Sequence, residues 1–257
     1  MKTKTLGFVG GGRITRILLQ AFKNKYVSFD SIVVYDHNPE TAAGLREKFP
    51  DILISGPEDA ASQEIVMIAL HPPAIMEMLE QIRSFISAET TFVSLAPKIT
   101  IGKISEKLGN LNRIVRLIPN ATSIINEGYN PVCFSTGIQE ADKQSLMQLL
   151  GVLGNTFEVE ESKLEAYAII SAMAPTYFWF QWKKLCDIGE SIGLDREASE
   201  QAVSRTLRAS LNTMFGSGLS WEEVADLIPV KPIADHEQEI MNMFEQKLVG
   251  LHHKISP

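Results

Sequence analysis

The residues whose type and spacing most suggest chemistry are three consecutive glycines, Gly10, Gly11 and Gly12, which directly follow an apolar run at 6–9. Gly10 permits a tight turn, and Gly12 allows the backbone to approach a pyrophosphate closely. An amphipathic helix pattern begins after the glycines, and its start offers unpaired N–H groups and the positive end of a helix dipole. The stretch therefore predicts an anion site suited to a dinucleotide. The alternative is a glycine-rich turn that binds nothing.

A second apolar run at 32–35 ends in Asp36, near the place where a dinucleotide fingerprint has its acidic residue, about 20 residues after the glycines. A carboxylate there accepts hydrogen bonds from the ribose 2′-hydroxyl and repels a 2′-phosphate. The next residue is His37, which could partly neutralise a phosphate. The pattern predicts a nicotinamide cofactor, NAD(P)H, with NADH favoured. Thr15 departs from the fingerprint, because its third position favours a small residue.

Three further side chains are candidates for the proton donor that hydride transfer requires. Lys98 could bind a carboxylate or donate a proton, and the alternative is a solvated loop lysine. Thr176 could donate from a helix start or satisfy its own backbone. His71 could shuttle protons or pack on a ribose. We expect no metal site, since residues 252–253 form a tail dipeptide and 235–237 are typical of a capped helix start.

The elements that must position these residues change in type along the chain. Up to about residue 160, strands alternate with helices, which predicts a doubly wound, mainly parallel sheet. The predicted strands are 6–9, 32–35, 52–54, 64–70, 91–95, 113–118, 131–134 and 156–159. From 162 the pattern is helical throughout, with a break near Pro175. We therefore predict an α/β chain, with a Rossmann dinucleotide-binding domain at 1–160 and an all-helical dimerisation and substrate domain at 161–257.

The helical half contains one strongly aromatic stretch at 177–182, with apolar residues on every side of the expected helix. Such a helix is expected to be buried all round. A helical domain of this size can hardly enclose it alone, so a partner chain is the natural cover, and we predict a homodimer through the C-terminal helices. The alternative is an aromatic-rich monomer core.

Composition excludes several classes of partner. The 257 residues carry a net charge of −7, which argues against binding to nucleic acid or to anionic membranes. The longest apolar stretch, 166–182, is too interrupted to span a membrane. Cys133 and Cys186 are unpatterned and are expected to be buried thiols in a reducing compartment. With no leader pattern before the first strand, we expect a cytoplasmic protein that acts on a small molecule.

The order and spacing of these motifs resemble the pyrroline-5-carboxylate reductase family, with an N-terminal domain like that of NADP- and F420-dependent oxidoreductases. The resemblance lies in the segments GFVGGGRI, VVYDHNPE, ALHP, SLAPKIT, IVRLIPNATSIINEG and SAMAPTYF. Members of that family reduce a cyclic imine to proline with a nicotinamide cofactor. The resemblance covers nearly the whole chain.

The resemblance also implies roles for individual residues. It implies that the pyrophosphate is held by Gly10, Gly12, Arg13 and Ile14, that the cofactor path is lined by Ala69, Leu70, His71 and Ala96, and that Asn120 lies near the nicotinamide. The family's glycine-rich substrate turn corresponds to the segment that contains Ser171, Met173, Pro175 and Thr176. Lys98 replaces a small residue of the family in the loop facing the nicotinamide.

One loop departs from the family pattern. Where the family has a DxVTSPGGTT loop that grips the substrate carboxylate, this chain has the segment DLIPVKP, residues 226–232. Pro229 stands in place of a threonine tied to catalysis, and proline can donate no hydrogen bond. The sequence therefore predicts an NAD(P)-dependent oxidoreductase for a small imine or carbonyl compound, with weak or absent activity on pyrroline-5-carboxylate. The alternative is a dinucleotide-binding sensor without turnover.

Overall fold

The computed structural model describes residues 4–257, and within this range eight strands form a single sheet. The strand order is β3-β2-β1-β4-β5-β6-β7-β8. The strands are β1 Thr5–Val9, β2 Ser31–Tyr35, β3 Leu53–Ile54, β4 Ile65–Ile68, β5 Thr91–Ser94, β6 Ile114–Leu117, β7 Gly128–Phe134 and β8 Gly154–Glu158. All neighbouring strands are parallel except β6 and β7, which are antiparallel. The predicted doubly wound, mainly parallel sheet is thus confirmed.

Helices connect and follow these strands. They are α1 Arg13–Asn24, α2 Pro39–Lys48, α3 Pro57–Ala61, α4 Pro72–Ile82, α5 Ile101–Lys107, α6 Glu140–Gly151, α7 Leu164–Tyr167, α8 Pro175–Ser191, α9 Arg196–Gly216, α10 Trp221–Asp226 and α11 Ala234–Ile255. Local sequence explains several starts: Asn38 caps α2 with its side chain, Thr100 caps α5, and Pro72 begins α4 at a position where its missing N–H is not needed. No helix in the described range combines the length and the apolar character needed to cross a membrane.

The strand order reverses direction between β1 and β4. From β1 the chain first builds outward through β2 and β3, then returns to place β4 on the other side of β1. In open α/β sheets, ligands bind at the carboxyl ends of the strands where the order reverses in this way. Two apolar clusters, which include Phe8 and Met67 in one and Ile68 and Phe92 in the other, fix these strands. The sheet therefore provides a rigid base for the loops after β1, β4, β5 and β6.

The chain forms two compact units, and the predicted functional division at residue 160 stays a prediction. One unit comprises the described residues up to Met173 together with Leu251–Pro257, and the other comprises Ala174–Gly250. In the first unit, α7 is followed by a π-helix, Ala168–Ala172. The predicted break near Pro175 is confirmed, because α8 begins there with proline in its first turn.

The second unit has almost no interior of its own. Within Ala174–Gly250 the buried residues are Gly189 of α8 and Ser199 of α9, where the two helices approach closely. The aromatic stretch is not enclosed by its own chain, since Trp179 is 49% exposed and Phe180 is 66% exposed, so its burial on every side by a partner chain stays a prediction. Cys186 was also expected to be buried and is only partly so, whereas Cys133 is buried. The helices thus form without an apolar core in the isolated chain.

Candidate active site

The glycine loop connects β1 to α1 and has the features of an anion site. Gly10 has φ +110°, and a Cβ added there would lie 2.7 Å from the carbonyl oxygen of Ala69, so glycine is required for the turn. Gly12 is the N-cap of α1, and a Cβ added at Gly12 would meet no atom within 4 Å. No side chain of the described residues caps this helix, and its first turn has no acidic residue. The N-terminal N–H groups thus remain available to an anion, and the open space at Gly12 fits a pyrophosphate.

Thr15 supports the loop from inside. It is fully buried, and its hydroxyl donates a 2.5 Å hydrogen bond to the carbonyl oxygen of Gly10. The departure from a small residue at the third fingerprint position is therefore accommodated, because the larger side chain adds a bond to the turn. Arg13 is exposed in the first turn of α1, and Ile14 is half-buried and packs against the core.

Asp36 follows β2 and is tied to the glycine loop. One carboxylate oxygen accepts a 2.7 Å hydrogen bond from the backbone N–H of Gly11, and the other accepts a 2.8 Å bond from the N–H of Asn38. The ring of His37 is largely exposed, with Nδ1 3.5 Å from Oδ1 of Asp36. The carboxylate thus contributes to the shape of the glycine loop as well as placing a negative charge at the end of β2.

The loops after β4 and β5 lie at the same edge of the sheet as the glycine loop. The carbonyl of Ala69 and the side chain of Leu70 lie against Gly10, which brings this predicted part of the cofactor path next to the loop. His71 is exposed at the N-cap of α4. Ala96 is buried after β5. Parallel strands place these loops together because their carboxyl ends share one edge.

Asn120, after β6, is buried and uses both ends of its side-chain amide within the protein. Its oxygen accepts from the backbone and hydroxyl of Thr122, and its Nδ2 donates a 2.8 Å bond to the carbonyl of Ser171. The residue therefore links the end of β6 to the π-helix. Its predicted proximity to the nicotinamide remains a prediction. π-Helical turns occur frequently at functional sites, which favours the Ser171 segment as a ligand-binding part of the chain.

The remaining predicted substrate residues follow Ser171. The backbone N–H of Met173 donates a 3.0 Å bond to the carbonyl of Ala168 and ends the π-helix. Pro175 and Thr176 lie in the first turn of α8, in the second compact unit, and Thr176 is exposed. Cys133 is a poor candidate nucleophile, because burial and, secondarily, the carboxylate of Glu161 raise the pKa of its thiol. Among residues 4–257, no group of three or more acidic, histidine or cysteine side chains is arranged to hold a metal ion.

Lys98 occupies the loop between β5 and α5 in an unusual conformation. Its side chain is exposed, and its φ of +77° lies in the left-handed region that glycine adopts readily and lysine seldom does. Its backbone N–H donates a 3.0 Å hydrogen bond to Oε1 of Glu165. Backbone strain of this kind is frequent at functional sites.

Sequence reasoning missed the ionic network that holds this loop. Arg116 of β6 is fully buried, with Nη1 3.0 Å from Oε1 of Glu161 and Nη2 2.5 Å from Oε1 of Glu165. The three residues are 45 and 49 positions apart in sequence, so no local spacing joins them. The sequence does contain one indication of this network, which is Arg116 itself. A charged residue inside an apolar strand requires a buried partner of opposite charge.

Comparisons with known proteins agree with this geometry. A family model described as NADP oxidoreductase, coenzyme F420-dependent, matches residues 5–98. The chain is 24% identical to a pyrroline-5-carboxylate reductase of Pseudomonas aeruginosa over 80% of this chain and 76% of the relative. It is 22% identical to the Escherichia coli pyrroline-5-carboxylate reductase over 84% of this chain and 81% of the relative.

Solved structures show the same fold. The chain matches pyrroline carboxylate reductase of Plasmodium falciparum with NADP bound, with a TM-score of 0.80 at 22% identity, covering 99% of this chain and 96% of that one. It matches 1-pyrroline-5-carboxylate reductase of Streptococcus pyogenes with a TM-score of 0.83 at 14% identity, covering 99% of both chains.

The sheet order and the glycine loop are those of a Rossmann-like dinucleotide-binding domain, which a helical C-terminal part follows. The matched family model describes NADP oxidoreductases. Over 80–84% of its length the chain is similar to pyrroline-5-carboxylate reductases, at 22–24% identity. The resemblance read from the sequence motifs is thereby confirmed.

Proposed function

We propose that this chain is an NAD(P)H-dependent reductase of a small cyclic imine or carbonyl compound and acts in the cytoplasm. The observation that carries the proposal is the open N-terminus of α1 at Gly12, set at the reversal point of the sheet beside the loops after β4 and β5. The dinucleotide, when bound, supplies the hydride. A titration in which neither NADH nor NADPH binds at millimolar concentration would refute the proposal.

The chain's own residues have separate tasks in this reaction. The first turn of α1 and Gly12 hold the pyrophosphate, while Ala69, Leu70 and Ala96 exclude water along the cofactor path. Lys98 is the proposed group that binds an anionic substrate or donates a proton, because its side chain is exposed after β5. Thr176 is the second candidate donor.

We predict weak or absent activity on pyrroline-5-carboxylate. Pro229 lies in an exposed segment between α10 and α11 and offers no hydrogen-bond donor where the family has a threonine. Lys231 in the same segment supplies a flexible charge, which orients a carboxylate less well than fixed donors. Steady-state assays should give a kcat/KM below about 10⁴ M⁻¹s⁻¹ with this substrate. A panel of other cyclic imines and keto acids should reveal a better one.

Restoring the missing donor provides the control for this prediction. Pro229→Thr should raise kcat/KM on pyrroline-5-carboxylate, whereas Pro229→Ala, which relieves the same backbone restriction without adding a hydroxyl, should not. A wild-type value at or above the stated threshold would show that the threonine is dispensable in this chain.

The second candidate function is a dinucleotide-binding sensor without turnover, and the substitution at Pro229 is the observation that favours it. The two functions differ in one measurable property. Turnover of any compound of the panel with either cofactor would exclude the sensor, and tight dinucleotide binding without turnover of any compound would support it.

We also propose that NADH is preferred over NADPH. The side chain of Asp36 is 9% exposed, and its carboxylate would face a 2′-phosphate with a like charge. Asp36→Asn keeps an oxygen for the N–H of Gly11 and removes the charge, so it should shift the ratio of the two dissociation constants roughly tenfold toward NADPH. Asp51→Asn, the same change at an exposed site, should leave the ratio unchanged. Tighter binding of NADPH by the wild type would contradict the preference.

We propose that the chain functions as a homodimer through its helical unit. Large apolar side chains are exposed on these helices, including Ile192 and Phe215, each 76% exposed in the single chain. A 77-residue unit, Ala174–Gly250, without a buried apolar core cannot offset the entropy of ordering its helices. A second copy of the same surface provides the simplest cover, because symmetric dimers pair identical patches.

The association is tested by analytical ultracentrifugation. The wild type should sediment as a dimer, and Phe215→Glu should weaken association by more than about tenfold. Tyr26→Glu places the same charge on an aromatic residue that is 92% exposed in the first unit, and it should leave the dimer intact. A wild-type chain that sediments as a folded monomer would refute the proposal.

A further inference from the structure

Two carboxylates join a buried arginine to the backbone of the β5–α5 loop, residues 95–100. Oε1 of Glu161 accepts a hydrogen bond from Arg116 and also a 2.6 Å bond from the N–H of Ile101. Oε1 of Glu165 accepts from Arg116 and also accepts a 3.0 Å bond from the N–H of Lys98. The guanidinium of Arg116 thus orients two carboxylates, and each carboxylate holds one backbone amide. The two amides belong to Lys98 in the loop and to Ile101 at the start of α5.

Stability alone does not account for this arrangement. Removing two charges from water costs a large desolvation free energy. Well-packed apolar residues in place of a buried ion pair therefore often make a protein equally stable. The cost is not fully offset here, because Nε of Arg116 is buried and has no hydrogen-bond partner among the described residues. What an apolar substitute cannot supply is a pair of acceptor oxygens for the amides of Lys98 and Ile101.

The hydrogen bond to Glu165 comes from the backbone of Lys98, the residue of this loop that has a strained conformation. Lys98 adopts φ +77°, which disfavours side chains with a Cβ, so the loop tends to relax to another conformation unless it is held. Its N–H is held by a carboxylate that is only 2% exposed and therefore little free to move. The chain segment that carries Glu161 and Glu165 continues into the π-helix, where Ser171 is bonded to Asn120 after β6. The segment therefore braces the loops after two neighbouring strands.

We propose that Glu161 and Glu165, oriented by Arg116, are positioning residues that hold the β5–α5 loop and Lys98 in the geometry that receives the nicotinamide cofactor. The inference rests on the proposed function for the identity of the ligand. The holding of the loop itself can be measured without any ligand.

The test compares two substitutions at one position. Glu165→Met removes both acceptor oxygens and keeps a side chain of similar length. Glu165→Gln keeps one acceptor oxygen, which can occupy the position of Oε1. In Glu165→Met, hydrogen exchange of the loop peptide should accelerate about tenfold in the free protein, and the dissociation constant for NADH should rise about tenfold. In Glu165→Gln both quantities should stay within about twofold of the wild type. Asp142→Ala serves as a control, because that carboxylate pairs with Arg113 and not with the loop.

Three outcomes would overturn the proposal: unchanged loop exchange in Glu165→Met, acceleration that extends equally to the central strands, or a Gln variant as defective as the Met variant. Should Glu165→Met fail to fold, Glu161→Met probes the same loop through the amide of Ile101, since Glu161 is one-third exposed. A wild type that binds no nicotinamide dinucleotide would refute the proposed function. The exchange data would then still decide whether the carboxylates position the loop.

Discussion

Gly12→Ala is expected to weaken the binding of NADH and NADPH by roughly 100-fold, which is about 2.8 kcal/mol of binding free energy. The reason lies in the pyrophosphate, which must approach the backbone at this position more closely than a Cβ allows. The fold itself has room for the methyl group, because nothing lies within 4 Å and φ is −73°. We therefore expect the free energy of unfolding to change by no more than about 1 kcal/mol, the scale of an N-cap substitution.

Two other glycines provide the comparison. Gly44→Ala in α2 also adds a methyl group to open space, and it should leave binding unchanged while adding about 0.5–1 kcal/mol of stability. Gly10→Ala should destabilise the chain, because the added Cβ meets the carbonyl of Ala69 and φ is +110°. Isothermal titration calorimetry and urea unfolding of the three variants separate the two effects. Unchanged affinity in Gly12→Ala would mean that the glycine loop does not hold the pyrophosphate.

Much of the sheet could be predicted because its strands have strong local signals. The apolar runs that become β1, β4 and β5 are bounded by glycine, proline or polar residues, and each was located within one or two residues of its observed end. The antiparallel pairing of β7 with β6 was not predicted. Whether two neighbouring strands are parallel or antiparallel depends on the path of the segment that connects them. The residues of the strands themselves do not determine it.

The site was predictable only in part, for a different reason. Gly10, Gly12 and Asp36 have roles that depend on neighbours along the chain, so their spacing identified them. The contact of Glu165 with Lys98 joins residues 67 positions apart, and no periodic pattern predicts which carboxylate a loop amide will meet. The exposure of Trp179 and Phe180 in the single chain agrees with the expectation that the helical domain cannot enclose this stretch alone, although an all-round apolar helix does not identify what covers it.

Arg116→Met is expected to give the largest loss of stability, about 3–5 kcal/mol, the usual cost of removing one partner of a buried ion pair. The loss arises because Glu165, 2% exposed, would be left buried without its cation, and a buried carboxylate without a partner is costly. Arg113→Met removes an arginine that lies directly before β6 and whose ion-pair partner Asp142 is 37% exposed. Its cost should be about 1 kcal/mol, because water can solvate the carboxylate left behind.

The double variant Arg116→Met/Glu165→Met shows whether the loss comes from the stranded charge. With both buried partners apolar, the penalty for the unpaired carboxylate disappears, and most of the stability lost in Arg116→Met should return. Urea unfolding at fixed protein concentration provides the comparison, since association contributes to apparent stability. A double variant less stable than Arg116→Met would show that Glu165 stabilises the chain mainly through the amide of Lys98. A double variant with restored stability should still show the loose β5–α5 loop, because methionine offers no acceptor to that amide.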